Sequence, residues 1–225
     1  MTGSAEAPTL RRRWLLLALF FALLAIPLSI AARGPGVLPG DVAVARAIQA
    51  PQWPWLDPLA EALSTLGRAW PGETPLTVAI VALIFFVGAR RDAVFVAVAA
   101  LAGSINVETK LIVASPRPTA PLVTIIEVAS GSGFPSGHAF GATLLYGALW
   151  IVLPALVRDR LACRLLRVAA VVIALGIGWS RVRLGAHWPS DVLGGILWGL
   201  TLLAVLTALF LPGPLRSRAA GAASG

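Results

Sequence analysis

The chain has 225 residues, 58% of them hydrophobic and 12% charged, about half the charged share of an ordinary soluble domain. A water-soluble fold of this length cannot cover so much apolar side chain, and a bilayer removes the need to. The net charge of +8 does not indicate nucleic acid, because the arginines stand between apolar runs as topology determinants rather than in one basic stripe.

Six apolar stretches follow in chain order, over about residues 14–32, 75–89, 93–113, 138–157, 161–180 and 191–211. Each is near the roughly 20 residues that a spanning helix needs. They predict an all-α membrane protein of six transmembrane helices, forming one domain over residues 14–211. Residues 1–13 read as a cytoplasmic segment and 212–225 as a cytoplasmic, disordered tail, its end made of small residues. Arg11, Arg12 and Arg13 before an apolar run also suit a signal peptide. The run continues through Ile26-Pro27-Leu28 without a small-residue cleavage pattern, so a retained helix kinked at Pro27 is expected. Arg164 and Arg167, early in the fifth stretch, are placed to snorkel toward head groups. The single Cys163 rules out a disulfide within the chain.

The connection over residues 33–74 is too long for a plain linker. Leu56, Leu59, Leu63 and Leu66 recur at helical spacing, with Asp57, Glu61 and Ser64 between them. This predicts an amphipathic surface helix in the first outer loop, with Trp53, Trp55 and Trp70 at the membrane interface. A cap packed over the bundle accounts for it at least as well as substrate recruitment does. With six spans, the basic residues divide eleven (Arg11–13, Arg90, Arg91, Arg158, Arg160, Arg164, Arg167, Arg216, Arg218) against seven (Arg33, Arg46, Arg68, Lys110, Arg117, Arg181, Arg183). The positive-inside rule then places both termini in the cytoplasm.

Three polar clusters fall at the outer ends of different spans. They are Lys110 to Arg117-Pro118, then Pro135-Ser136-Gly137-His138, then Ser180-Arg181 through His187 to Asp191. Alternation of the spans brings all three to one face. Ionisable residues are costly at a bilayer, so their convergence points to a site. Lys110, Arg117 and Arg181 suit anion binding. Ser136 and Gly137 open a helix whose first N–H groups have no intrahelical acceptor and favour a phosphate. His138 and His187 are the only histidines. Asp191, four residues after His187, is placed to accept an imidazole N–H and leave the other nitrogen free to attack.

These clusters resemble the signature of the PAP2 (phosphatidic acid phosphatase type 2) superfamily: Lys-x6-Arg-Pro, then Pro-Ser-Gly-His, then Ser-Arg-x5-His-x3-Asp. Every defining position is present between Lys110 and Asp191. The resemblance implies an integral membrane lipid phosphatase. His187 would attack phosphorus to form a phosphohistidine, and Asp191 would orient it. His138 would protonate the leaving oxygen and then activate water. Lys110, Arg117, Ser136, Gly137 and Arg181 would hold the phosphoryl oxygens. No metal and no cofactor enter this scheme. The substrates implied are lipid phosphates or diphosphates of the undecaprenyl diphosphate, phosphatidic acid or phosphatidylglycerophosphate class, with a polyprenyl diphosphate favoured among them. The enzyme would be multi-pass in the plasma (inner) membrane, its site on the extracytoplasmic face and its partners lipid phosphate and membrane lipids. Two alternatives keep the scaffold: a lipid phosphotransferase, or a non-enzymatic transporter or scaffold. The chain departs from the family pattern at Ser115, where relatives carry arginine, and at Arg183, where they carry an aromatic residue. Arg183 reads as an exposed rim cation and Glu108 as a structural partner of a basic residue. Gly195 and Gly199 form a GxxxG pattern that predicts close packing inside the bundle.

Overall fold

A computed structural model describes residues 6–68, 72–105 and 113–210. Lys110, Glu108, Trp70 and the predicted tail therefore lie outside the described residues. Within them the chain forms α1 (Glu6–Ala31), α2 (Asp41–Gln49), α3 (Leu56–Leu66), α4 (Thr74–Phe86), α5 (Arg90–Leu101), a 3₁₀ turn (Ala102–Ile105), α6 (Gly137–Leu156), α7 (Arg160–Arg183) and α8 (Pro189–Phe210). No strand occurs among the described residues.

Among the described residues four helices are long and apolar enough to cross a bilayer: residues 8–31 of α1, and α6, α7 and α8. The second and third predicted stretches are shorter as α-helix. α4 has 13 residues and closes at Gly88, whose φ of +91° suits the residue after a helix end. α5 starts three residues earlier than the apolar run, at Arg90, with Asp92 in its first turn, where a carboxylate is favourable. It gives way to the 3₁₀ turn that starts at Ala102, where the weak helix formers Gly103 and Ser104 follow.

Apolar side chains cover the outside of the bundle. Leu16, Phe20, Leu23, Leu83, Phe86, Leu165 and Val172 are all exposed, while Arg181, Arg183, His187 and Asp191 are buried. That inversion of the usual soluble pattern identifies a membrane protein by its surface as well as its composition. α6 lies at the centre, packed by α5, α7 and α8, with Phe95, Leu144, Leu145, Val152 and Ile177 in the core. Gly195 and Gly199 let α8 press onto α6. A Cβ at Gly195 would lie 2.6 Å from the Ser136 carbonyl, and one at Gly199 would lie 2.8 Å from Thr143 Cβ. The GxxxG pattern is thus used inside the bundle. α1 runs along α8, where Trp198 Nε1 donates to Ser29 Oγ at 3.0 Å.

The first long connection holds two helices rather than one. α3 occupies the predicted span, but its buried line is Leu56, Ala60 and Ser64, with Leu59 exposed. It packs on α7, which matches the packed-cap alternative. α2 carries no leucine stripe and was not legible in the sequence; it rests on α7 and α8.

Candidate active site

The site forms where the N-terminus of α6, the C-terminus of α7 and the N-terminus of α8 meet. Ser136 N–H donates to the Asp191 carbonyl at 2.9 Å, tying the start of α6 to the start of α8. Between α7 and α8 the chain turns at Gly185, with φ +69°. A Cβ there would lie 2.1 Å from the Thr124 carbonyl, so glycine is required twice over, by conformation and by space. This turn carries His187 back over the site.

His187 and Asp191 are almost fully buried, at 3% and 0% exposed. His187 Nδ1 lies 3.3 Å from Asp191 Oδ2, which also accepts the Trp188 N–H at 2.9 Å. Arg117 Nη1 lies 3.2 Å from His187 Nε2. These two neighbours fix the tautomer. An ionised carboxylate only accepts, so Nδ1 carries the hydrogen; a guanidinium only donates, so Nε2 presents its lone pair. The imidazole therefore holds Nε2 deprotonated toward a cation. Arg117 is itself anchored through Nε to the Ser130 and Gly131 carbonyls at 3.2 and 2.9 Å, and through Nη1 to the Ala186 carbonyl at 2.7 Å. Burial lowers its pKa, with Arg181 adding to the effect and Asp191 and Glu127 opposing it.

His138 stands one residue into α6. Arg181 and His187 are both close enough to act on its charge. Its Nε2 and the Ser136 hydroxyl are buried without a hydrogen-bond partner among the described residues. Both are polar atoms whose burial calls for a partner, and a phosphate ester would supply one. Arg181, 1% exposed, forms a two-point bridge with Glu127 at 2.7 and 3.1 Å and donates to Ser64 of α3, while its Nε has no partner among the described residues. Burial would raise the Glu127 pKa, but the bonds from Arg181 and Ser64 and the charges of Arg181 and Arg68 outweigh it and hold it down to about 2. Of the residues named from the sequence, the structure brings together His138, His187, Asp191, Arg117, Arg181, Ser136 and Gly137. Lys110 lies outside the described residues. Among those described, no group of three His, Cys, Asp or Glu side chains gathers as a metal-ligand set.

Arg183 corrects the sequence reading. It is 2% exposed rather than an exposed cation at the rim. Its Nε pairs with Asp57 at 2.7 Å, and Nη1 donates to the carbonyls of Ile48, Gln49 and Pro51. A buried guanidinium needs acceptors, and the end of α2, the link after it and the start of α3 provide them. The sequence reading also missed Gln49, which clamps Thr124 to the end of α7 through bonds to the Thr124 and Arg183 carbonyls at 2.8 and 3.1 Å. It missed Asp41, whose carboxylate accepts from Ser190 N–H and Oγ at 2.9 and 2.6 Å beside Asp191; burial raises its pKa. The partners of Glu127, Gln49 and Asp41 lie far away in the chain, so no local spacing marks them.

Residues 92–212 match the PAP2 superfamily. Phosphatidylglycerophosphatase B of Bacillus subtilis (strain 168) is 34% identical over 83% of this chain and 89% of its own length. Decaprenylphosphoryl-5-phosphoribose phosphatase of Mycobacterium tuberculosis is 30% identical over 76% of this chain and 90% of its own. The crystal structure of a transmembrane PAP2-type phosphatidylglycerolphosphate phosphatase from Bacillus subtilis superposes with a TM-score of 0.76 at 27% identity, covering 86% of this chain and 95% of that one.

Proposed function

The chain belongs to the PAP2 superfamily, and from that premise we propose that it is a membrane lipid phosphatase working through a phosphohistidine on His187. The observation that carries the reading is the His187 imidazole, held between a carboxylate at Nδ1 and a guanidinium at Nε2. In the first step His187 Nε2 attacks phosphorus while the bond to the leaving oxygen breaks and His138 gives that oxygen a proton. In the second, His138 takes a proton from water, whose oxygen displaces the histidine and releases inorganic phosphate. Arg117 moves from Nε2 to a phosphoryl oxygen. Arg181, Ser136 Oγ, the Gly137 N–H and Lys110 neutralise the developing charge. Asp191 keeps the Nδ1 hydrogen in place throughout.

The substrates are phosphate monoesters or diphosphates of lipids, a class that includes those in the names of the two relatives. The chain crosses the membrane six times, with both termini in the cytoplasm and the site on the outer face. The excess of arginine on the other side supports this orientation.

Incubation of the purified protein with ³²P-labelled phosphatidic acid tests the reading. Free phosphate should appear without any acceptor alcohol, and rapid quenching should trap an acid-labile label on the protein. His187→Ala should lose both, release falling by at least about 10³-fold. Phosphate release undiminished in that variant would end the proposal.

A further inference from the structure

At the end of the bundle opposite the site, α6 runs out at Leu156 and α7 begins at Arg160. Arg167 stands two turns into α7, about 10 Å along the axis from Arg160. Its Cζ lies 3.5 Å from the centre of the Trp150 ring of α6, and its Nε is buried without a hydrogen-bond partner among the described residues. Arg164 and Arg160 precede it at helical spacing, on the same side of α7. Both are exposed, and among the described residues none of the three arginines pairs with a carboxylate. The acid next to them in the chain, Asp159, caps α7 by accepting the Ala162 N–H at 2.7 Å. Residues 211–225, which follow α8 at the same end, contain no Asp or Glu.

Topology accounts for arginines at a helix end. It does not account for one two turns inside, seated on an aromatic ring that is itself 39% exposed. Helix stability does not account for the group either, because cations in the first turn oppose the dipole. A guanidinium at that depth calls for an anion, and the described protein offers none there. Stacking on Trp150 takes one face of the guanidinium and leaves its edge for a phosphate. Beyond Arg167 the surface of α7 continues as exposed Val168, Val171 and Leu175, a wall for acyl chains.

We infer that α6 and α7 form a site for one anionic phospholipid at the end of the bundle away from the candidate active site. Its phosphate lies against Arg167 and Arg164, with Arg160 at the rim, and its chains run along Val168, Val171 and Leu175. Net charge decides the class. Three cations without a protein counter-ion favour a net-negative head group over a zwitterion, whose own cation they repel. Such a lipid ties the end of α6 to the start of α7. The site does not depend on the phosphatase reading.

Photo-cross-linking of the full-length protein in detergent tests this, with phosphatidylglycerol carrying a diazirine at the start of one acyl chain. Cross-links are mapped on peptides by mass spectrometry, and the yield on residues 150–171 is divided by the yield on α8 in the same sample. In the wild type this ratio should be at least about fivefold higher with phosphatidylglycerol than with phosphatidylcholine bearing the same label. Arg167→Gln should lower it about fivefold. Arg167→Lys should lower it nearly as far, because an ammonium keeps the charge but not the planar fork. Arg164→Gln alters an exposed side chain and should also lower the ratio, which keeps the test decisive where an Arg167 variant does not fold. Arg12→Gln removes a charge from the same end of the bundle and should leave the ratio within about twofold of wild type. Equal wild-type labelling by the two lipids overturns the inference. So do Arg167 and Arg164 variants that keep the wild-type ratio, or an Arg12→Gln loss as large as that of Arg167→Gln.

Discussion

Replacing Glu127 by Gln keeps the shape of the side chain and removes its charge from Arg181. The guanidinium is 1% exposed and would be left with Ser64 and a neutral amide. Holding the Glu127 pKa at about 2 against an ordinary 4.5 corresponds to ~3 kcal/mol of preferential interaction with the ionised form. The Glu127 side chain is 27% exposed, and solvent screening brings the contribution down to about 2 kcal/mol. For a chain of this size that is a fall of about 4–8 °C in melting temperature. Because the folded pKa is depressed, the stabilisation is complete above the unfolded value and disappears as pH falls from 4.5 toward 2. Tryptophan fluorescence melts in detergent should therefore show a constant gap between wild type and Glu127→Gln from pH 8 to pH 5, closing below pH 4.5. Equal melting temperatures at pH 7, or a gap that stays open as the carboxyl is protonated, would refute the assignment of Glu127 as the anchor of Arg181.

Two further substitutions probe the packing around the site. Gly195→Ala places a Cβ 2.6 Å from the Ser136 carbonyl and should cost about 1–3 kcal/mol; Gly36→Ala, with nothing within 4 Å, should stay within about 0.5 kcal/mol of wild type. Both are read by the same melts. Arg183→Lys keeps the charge but cannot serve Asp57 and three carbonyls at once. It should lower stability by about 2–4 kcal/mol and increase proteolytic nicking between α2 and α3.

The bundle was legible where one physical rule decided the outcome. α6, α7 and α8 follow from length and hydropathy, and the clusters at their ends converge because successive spans alternate in direction. The spacing of His187 and Asp191 gave their contact directly, since residues four apart share a helix face or turn. The α5 boundary was not legible because hydropathy runs on through Gly103 and Ser104, where backbone preference turns the α-helix into a 3₁₀ turn. Arg183 was misjudged for a different reason. Charge alone places an arginine at a rim, and only the folded chain reveals carbonyls at Ile48, Gln49 and Pro51 waiting for it. Glu127, Asp41 and Gln49 act across 54 or more positions, beyond the reach of any periodicity.

In the mechanism proposed above, Arg117 at rest occupies the lone pair of the imidazole that attacks. A visiting molecule without negative charge offers the guanidinium nothing better than the ring it already holds, and so meets a blocked nitrogen. An anion draws the arginine onto itself and uncovers the ring in the same motion. On that mechanism, selectivity for charged head groups over the neutral esters that crowd a bilayer would begin before any bond is made, in a choice of hydrogen-bond partner.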